Sequence, residues 1–219
     1  LSIKPVPKEF LPCLSKWVLN KLKDMDALIL AGGENRRIPV IKAFLQVEGR
    51  SIIESNVELL KGIFDRVIIS TNDPEVYFYL GVLLVGDVME ERGPMTGILS
   101  ALNLPGAAEV FVTACDMPFI NGILTRYMID RWESGWEALI PVFKGKPQPL
   151  FGIYSRKIAV AMEESIRRGG KGLIDFLGSR DVLYVEEKEV RNIDAEGRSF
   201  VNINTIDDVK REGGKICLV

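Results

Sequence analysis

Apolar residues along the 219-residue chain fall into short unbroken runs, separated by stretches in which they recur every three or four positions. Unbroken runs bounded by turn residues read as strands buried on both faces, and the wider spacing reads as amphipathic helix. The runs 27–31, 66–70, 82–85 and 110–114 are the first four strands. Between them, Ile53, Val57 and Leu60 form one helical face behind a capping box of Ser51 and Glu54, and a second helix spans 96–104. Asn121 caps the helix after the fourth strand. Runs 138–143 and 149–154 flank Lys144-Gly145-Lys146 in a hairpin-like excursion. Ser155 then caps a helix that stops near Gly169-Gly170. A short helix, a strand at 182–185, an irregular strand at 199–203 and a helix capped by Thr205 complete the chain. Residues 1–24 differ in texture: Phe10, Leu11, Leu14, Trp17, Val18 and Leu22 have helical spacing, so they are expected to form a helical extension to a single domain over 25–219.

Alternating strands and helices with fully apolar strands imply an α/β architecture of three layers, a mostly parallel sheet with helices on both faces. Ligands in such sheets bind beyond the carboxyl ends of the strands. Gly32-Gly33, the segment from Ser70 to Asn72, Asp87 and Asp116 all follow strand ends, so they can meet in one crevice.

Composition narrows the chemistry. The chain has no histidine, which excludes Ser-His-Asp and Cys-His nucleophilic sites and any His-ligated metal. Carboxylates, Lys, Arg, backbone groups and a hard cation remain. The net charge of −2 and the lack of a basic block argue against nucleic acid as a partner. No apolar run reaches the ~20 residues of a membrane helix. Three widely spaced cysteines, none in a CxxC pair, point to a reducing, cytoplasmic setting rather than a disulfide framework or zinc site.

Within the crevice, adjacent glycines let backbone N–H groups approach phosphate oxygens, and Arg37 and Lys42 supply charge to neutralise them; a plain tight turn with solvated basic residues is the alternative. Asp116, locked ahead of Pro118, is either a Mg²⁺ ligand or a helix-capping or turn aspartate; Mg²⁺ takes one or two carboxylates and fills its octahedron with phosphates and water. Asp87 could hold a base or ribose, or close a turn. The segment "GPMTG" (93–97) is a helix start that could also face a ligand. Asn202 and Asn204 share one side of an extended segment and could bind ligand or satisfy buried backbone. "GGKG" (169–172) lacks the Lys-Ser/Thr pair of a P-loop and reads as a helix stop.

Taken together, "LILAGGENRR" with Lys42, "GPMTGI" (93–98), "CDMPF" (115–119), "PLFGIY" (149–154) and "VNINT" followed by Asp207 and Asp208 resemble the molybdenum-cofactor guanylyltransferases, over residues 26–209. The resemblance implies a Rossmann-like nucleotidyltransferase fold, and transfer of GMP from GTP to the phosphate of Mo-molybdopterin with release of pyrophosphate. It implies that Leu30, Ala31, Gly32 and Gly33 wrap the nucleotide, that Lys42 contacts its phosphates and Asp87 helps hold it, and that Asp116 binds Mg²⁺. Ser70 falls where some relatives use Asn toward the nucleotide, and Asn202 and Asn204 fall on the molybdopterin side or near the metal. Catalysis would rest on Lys42, Arg37 and Asp116. Further partners implied are molybdopterin-handling proteins and molybdoenzyme chaperones. The chain departs from the family loop Arg-Met-Gly-Gly-Asp-Lys, having Arg37-Ile38-Pro39-Val40-Ile41-Lys42 instead; Pro39 removes a backbone donor. Two alternatives stay open: a related enzyme of another base or acceptor, such as a molybdopterin cytidylyltransferase, and a GTP-binding partner whose catalysis has decayed.

Overall fold

The computed structural model describes residues 25–32, 50–170 and 172–203, together with the backbone of 46–47 and residue 208. The helix expected in residues 1–24, Gly33, Arg37, Lys42, Asn204 and the helix capped by Thr205 lie outside the described residues.

In chain order the elements are β1 (Met25–Leu30), β2 (Gln46–Val47), β3 (Arg50–Ser51), α1 (Ile52–Lys61), β4 (Val67–Ser70), β5 (Leu83–Val85), α2 (Pro94–Leu102), β6 (Glu109–Ala114) and α3 (Gly122–Arg131). There follow β7 (Ala138–Phe143), β8 (Lys146–Pro147), β9 (Gly152–Ser155), α4 (Ala159–Arg167), α5 (Leu173–Leu177), β10 (Val182–Val185) and α6 (Glu187–Ile193). Single turns of 3-10 helix occur at Pro74–Val76, Phe78–Leu80, Arg156–Ile158 and Arg198–Phe200.

The main sheet runs β10-β7-β9-β6-β1-β4-β5, and β9 is the one reversed strand on that path. Every residue of β1 is buried. Because strand side chains alternate, Ala27 and Ile29 join one apolar layer with α1, α3 and α6, while Leu28 and Leu30 join the other with α2, α4 and α5. The three-layer α/β architecture expected from the apolar runs is the one formed. Asp26, buried at the entry of β1, is held by a two-pronged ion pair: Arg66 Nε donates to its Oδ1 at 2.7 Å and a terminal guanidinium nitrogen binds its Oδ2. Among the described residues, no helix is long and apolar enough to cross a membrane.

Local chemistry explains several boundaries. Ser51 Oγ accepts the Glu54 N–H at 3.3 Å, and Asn121 Oδ1 accepts those of Ile123 and Leu124 at 2.9 and 3.2 Å, as N-caps should. β7 and β8 join through Lys144 and Gly145, both with positive φ (51° and 67°), which suits a two-residue hairpin turn. The strand expected over 149–154 is interrupted. Gln148 N still donates to the Pro141 carbonyl at 2.9 Å, but Pro149 has no N–H to extend the ladder, so the chain loops out and rejoins β6 at Gly152 and β7 at Ile153. The irregular strand expected over 199–203 is not a strand: a 3-10 turn at Arg198–Phe200 leads into extended backbone that pairs with a loop.

The chain order fixes where a ligand goes. From β1 it moves outward to β4 and β5, then crosses back through α2, which packs on β1, β4 and β6, to enter β6 on the opposite side of β1. The direction of winding therefore reverses between β1 and β6, where a crevice forms.

Candidate active site

A cavity of about 600 Å³ lies at that reversal, beyond the carboxyl ends of β1, β4 and β6. Its walls include Leu30, Ala31 and Gly32 from the end of β1, Ser70 from β4, Asp87 after β5, and Asp116 after β6. Six of the residues singled out in the sequence thus meet in one place. The ladders continue past the strands: Ala31 N donates to Ser70 O at 2.9 Å, and Cys115 N to Leu30 O at 3.0 Å. Leu30 pairs with Ala114 at the end of the ladder, and beyond it the Met117 N–H turns back to the Ala114 carbonyl at 3.2 Å, so Gly32 and Asp116 leave the ends of neighbouring strands into the same cavity.

The loop after β6 is gripped from behind. Asn56, buried in α1, donates from Nδ2 to the Met117 carbonyl at 3.1 Å. The Asp116 carbonyl accepts the Ile203 N–H at 2.8 Å. Ser199 Oγ accepts the Asn121 N–H at 3.2 Å, and the Arg198 guanidinium lies 3.9 Å above the Phe119 ring. The Asp194 carboxylate in turn holds the segment bearing Arg198 and Ser199 by accepting both their N–H groups, at 2.9 and 2.8 Å. Asn202 itself is exposed and is not among the residues lining the cavity; its neighbour Ile203 makes the backbone link to Asp116.

On the opposite wall, α2 begins at Gly93-Pro94 and comes very close to β1 and β4 at Gly97. A Cβ there would stand 2.6 Å from Leu30 Cδ2 and 2.8 Å from Ser70 Oγ, so only glycine lets the helix approach. Leu150, carried inward by the break between β8 and β9, also lines the cavity. Below it, burial pushes the Tyr77 hydroxyl well above its usual range, and Cys115 and Asp73 nearby add to the shift, so the phenol stays neutral.

Neither Asn56 nor Leu150 stands out as a site residue from the sequence, Leu150 entering only within the motif over 149–154 and Asn72 only as part of a strand-end segment. Asn72 lines the cavity and its side chain is bonded to Asp87. Arg92 lines it as well, the one cationic side chain beside Asp73, Glu75, Asp87 and Asp116 among the described lining residues.

This donor set suits a magnesium ion. Among the described residues no group of three or more His, Cys, Asp or Glu gathers to cage a metal, but Asp116 offers a carboxylate to the cavity just past the end of β6. Mg²⁺ is commonly held by one or two carboxylates plus the substrate's phosphates and water, whereas a closed protein cage is the habit of other ions. The described lining, with four carboxylates and one guanidinium, favours a bound cation when the cleft takes a polyphosphate.

Comparison with known proteins agrees with this geometry. Residues 27–183 match the family model described as a MobA-like NTP transferase domain. A molybdenum cofactor guanylyltransferase of Syntrophotalea carbinolica is 35% identical over 191 residues, spanning 87% of this chain and 91% of its own length. A probable molybdenum cofactor guanylyltransferase of Pelotomaculum thermopropionicum is 38% identical over 182 residues, spanning 83% and 88%. Among solved structures, molybdopterin-guanine dinucleotide biosynthesis protein A of Archaeoglobus fulgidus superposes with a TM-score of 0.73 at 28% identity, covering 86% of this chain and 96% of that one. The 4-diphosphocytidyl-2C-methyl-D-erythritol synthase of Anaerococcus prevotii, at 15% identity and a TM-score of 0.67, shares the fold alone. The chain belongs to the MobA-like NTP transferases and is a nucleotidyltransferase.

Proposed function

We propose that the chain transfers GMP from GTP to the phosphate of Mo-molybdopterin, forming molybdopterin guanine dinucleotide and pyrophosphate in the cytoplasm. One observation carries the reading: Gly32, following β1, and the carboxylate-bearing Asp116, following the neighbouring strand β6, line one cavity of about 600 Å³ at the winding reversal of a mostly parallel sheet. Relatives named molybdenum cofactor guanylyltransferase, at 35% and 38% identity, support guanine over another base.

In this reading the triphosphate lies against Gly32, where the missing side chain leaves room for phosphate oxygens. Leu30 and Gly97 bound the slot, and Ser70 and Asp87 face the nucleoside. Asp116 would hold Mg²⁺, which when bound supplies positive charge to both anionic substrates. The acceptor phosphate attacks the α-phosphorus of GTP in line; a new P–O bond forms as the bond to the β-phosphate oxygen breaks, and pyrophosphate departs. The nucleophile is already an anion at neutral pH, so a chain without histidine needs no general base. Arg37 and Lys42 would stabilise the leaving pyrophosphate. The protein's contribution is then positioning and charge rather than covalent catalysis.

The test is pyrophosphate release from GTP in the presence of Mg²⁺ and Mo-molybdopterin, with CTP and ATP as controls. Release specific to GTP is expected. Release with CTP alone would assign the chain to another base, and GTP binding without release would make it a binding partner.

A further inference from the structure

We infer that Asn72 is a positioning residue that fixes the Asp87 carboxylate to read the nucleoside of the bound nucleotide, an inference that rests on the proposed GTP site and deepens it. Asp87 follows β5 on a loop, where a carboxylate would ordinarily swing among rotamers. Asn72 prevents this with a reciprocal pair of bonds: its Nδ2 donates to Asp87 Oδ2 at 2.7 Å, and its Oδ1 accepts the Asp87 N–H at 3.0 Å. Asn72 is itself fixed two residues past the end of β4, because Thr71 N donates to Val85 O at 2.9 Å. From the other side, Val88 N donates to Ser100 Oγ at 3.0 Å, and that hydroxyl donates to the Thr96 carbonyl in α2 at 2.8 Å. Asp87 is therefore set between two anchored neighbours, and both it and Asn72 line the cavity.

A carboxylate fixed in this way accepts hydrogen bonds and donates none. An acceptor-only group pairs with donors rather than with phosphate oxygens, so its partners on the nucleotide are those of the nucleoside. Asn72 occupies Oδ2, and among the described residues nothing is bonded to Oδ1. The groups of a guanosine nucleotide that present paired donors are the N1–H and N2–H₂ edge of guanine and the ribose diol. Both satisfy the same acceptor chemistry, and a freely rotating carboxylate would distinguish either from its analogue less sharply.

The test is calorimetric binding of GTP, ITP (no 2-amino group), 2′-deoxy-GTP and 3′-deoxy-GTP with Mg²⁺ and without acceptor. It compares the wild-type chain, Asn72→Ala, Asp87→Asn and the double variant. Asn72 is exposed, so the single variants should fold, and an unchanged melting temperature checks this. The wild type should prefer GTP to at least one analogue by about tenfold, the worth of one charge-assisted bond. Asn72→Ala should erase that same preference, and the double variant should bind no more weakly than Asp87→Asn alone. Preference over ITP assigns the guanine edge; preference over a deoxy analogue assigns the ribose. An Asn72→Ala variant that keeps the wild-type preference, or losses that multiply in the double variant, would overturn the inference while leaving the GTP site intact. A wild-type chain that binds no GTP would overturn the site and this inference with it.

Discussion

The backbone N–H of Ile203 donates to the carbonyl of Asp116 at 2.8 Å, so the chain beyond the family-matched segment returns to brace the residue on which the proposed chemistry turns. Ile203 is also fully buried. Two substitutions separate these roles. Ile203→Ala keeps the donor and loses packing, and should cost about 2–4 kcal/mol of stability. Ile203→Pro loses the donor as well, and should lower kcat for GTP by about tenfold more than Ile203→Ala at matched fractions folded. Activity and urea unfolding measured together check this; equal kcat in the two variants would make the bond irrelevant to the site.

Asn56 supports the same loop from α1. Its removal leaves the Met117 carbonyl without that donor in a buried setting. Asn56→Ala is therefore expected to cost about 1–3 kcal/mol in chemical denaturation, the usual penalty for stranding a buried polar partner.

Gly97→Ala introduces a methyl group where Leu30 and Ser70 already stand at 2.6 and 2.8 Å. Either α2 moves outward or Leu30 is forced off its rotamer, at about 1–3 kcal/mol. Both responses alter the slot beside the nucleotide, so KM for GTP should rise more than the stability loss alone implies. Thermal unfolding and GTP titration of the same sample give the comparison.

A pH effect is expected far from the site. The Tyr127 hydroxyl, donating at 2.6 Å, holds the Glu189 carboxyl below its ordinary range; burial opposes this, while the Glu186 N–H and the Arg131 charge assist. A folded-state value below the unfolded one means that ionised Glu189 stabilises the fold above the usual carboxylate pKa, about 4.3. That stability is lost as pH falls through the lowered folded value. Tyr127→Phe should therefore cost about 1–2 kcal/mol at pH 7 and distinctly less near pH 3, measured by urea unfolding at each pH.

Local chemistry made much of the fold legible in the sequence. The apolar run of β1, the caps at Ser51 and Asn121 and the positive-φ turn at Lys144-Gly145 each follow from a few adjacent residues. Segments whose backbone bonds lie elsewhere were less legible. Residues 199–203 have strand-like apolar residues, yet their N–H groups go to Asp194, to the preceding turn and, from Ile203, to the Asp116 carbonyl rather than to a sheet. Helix α6 escaped notice because Val190 is its single fully buried residue, in a segment otherwise rich in charge. The convergence of Gly32, Ser70, Asp87 and Asp116 was readable because each follows a strand end. Asn56 and Asn72 were not, since their roles depend on which distant carbonyl or carboxylate the packing brings to them.

The most direct measurement is transfer of label from GTP carrying a radioactive α-phosphorus to Mo-molybdopterin, with Mg²⁺, by the wild-type chain and by Asp116→Asn of equal melting temperature. The wild type should place the label on the pterin product and release unlabelled pyrophosphate, and the variant should be slower by at least about a hundredfold. Label transfer by Asp116→Asn at the wild-type rate, or none by the wild type, would contradict a transferase built around that carboxylate.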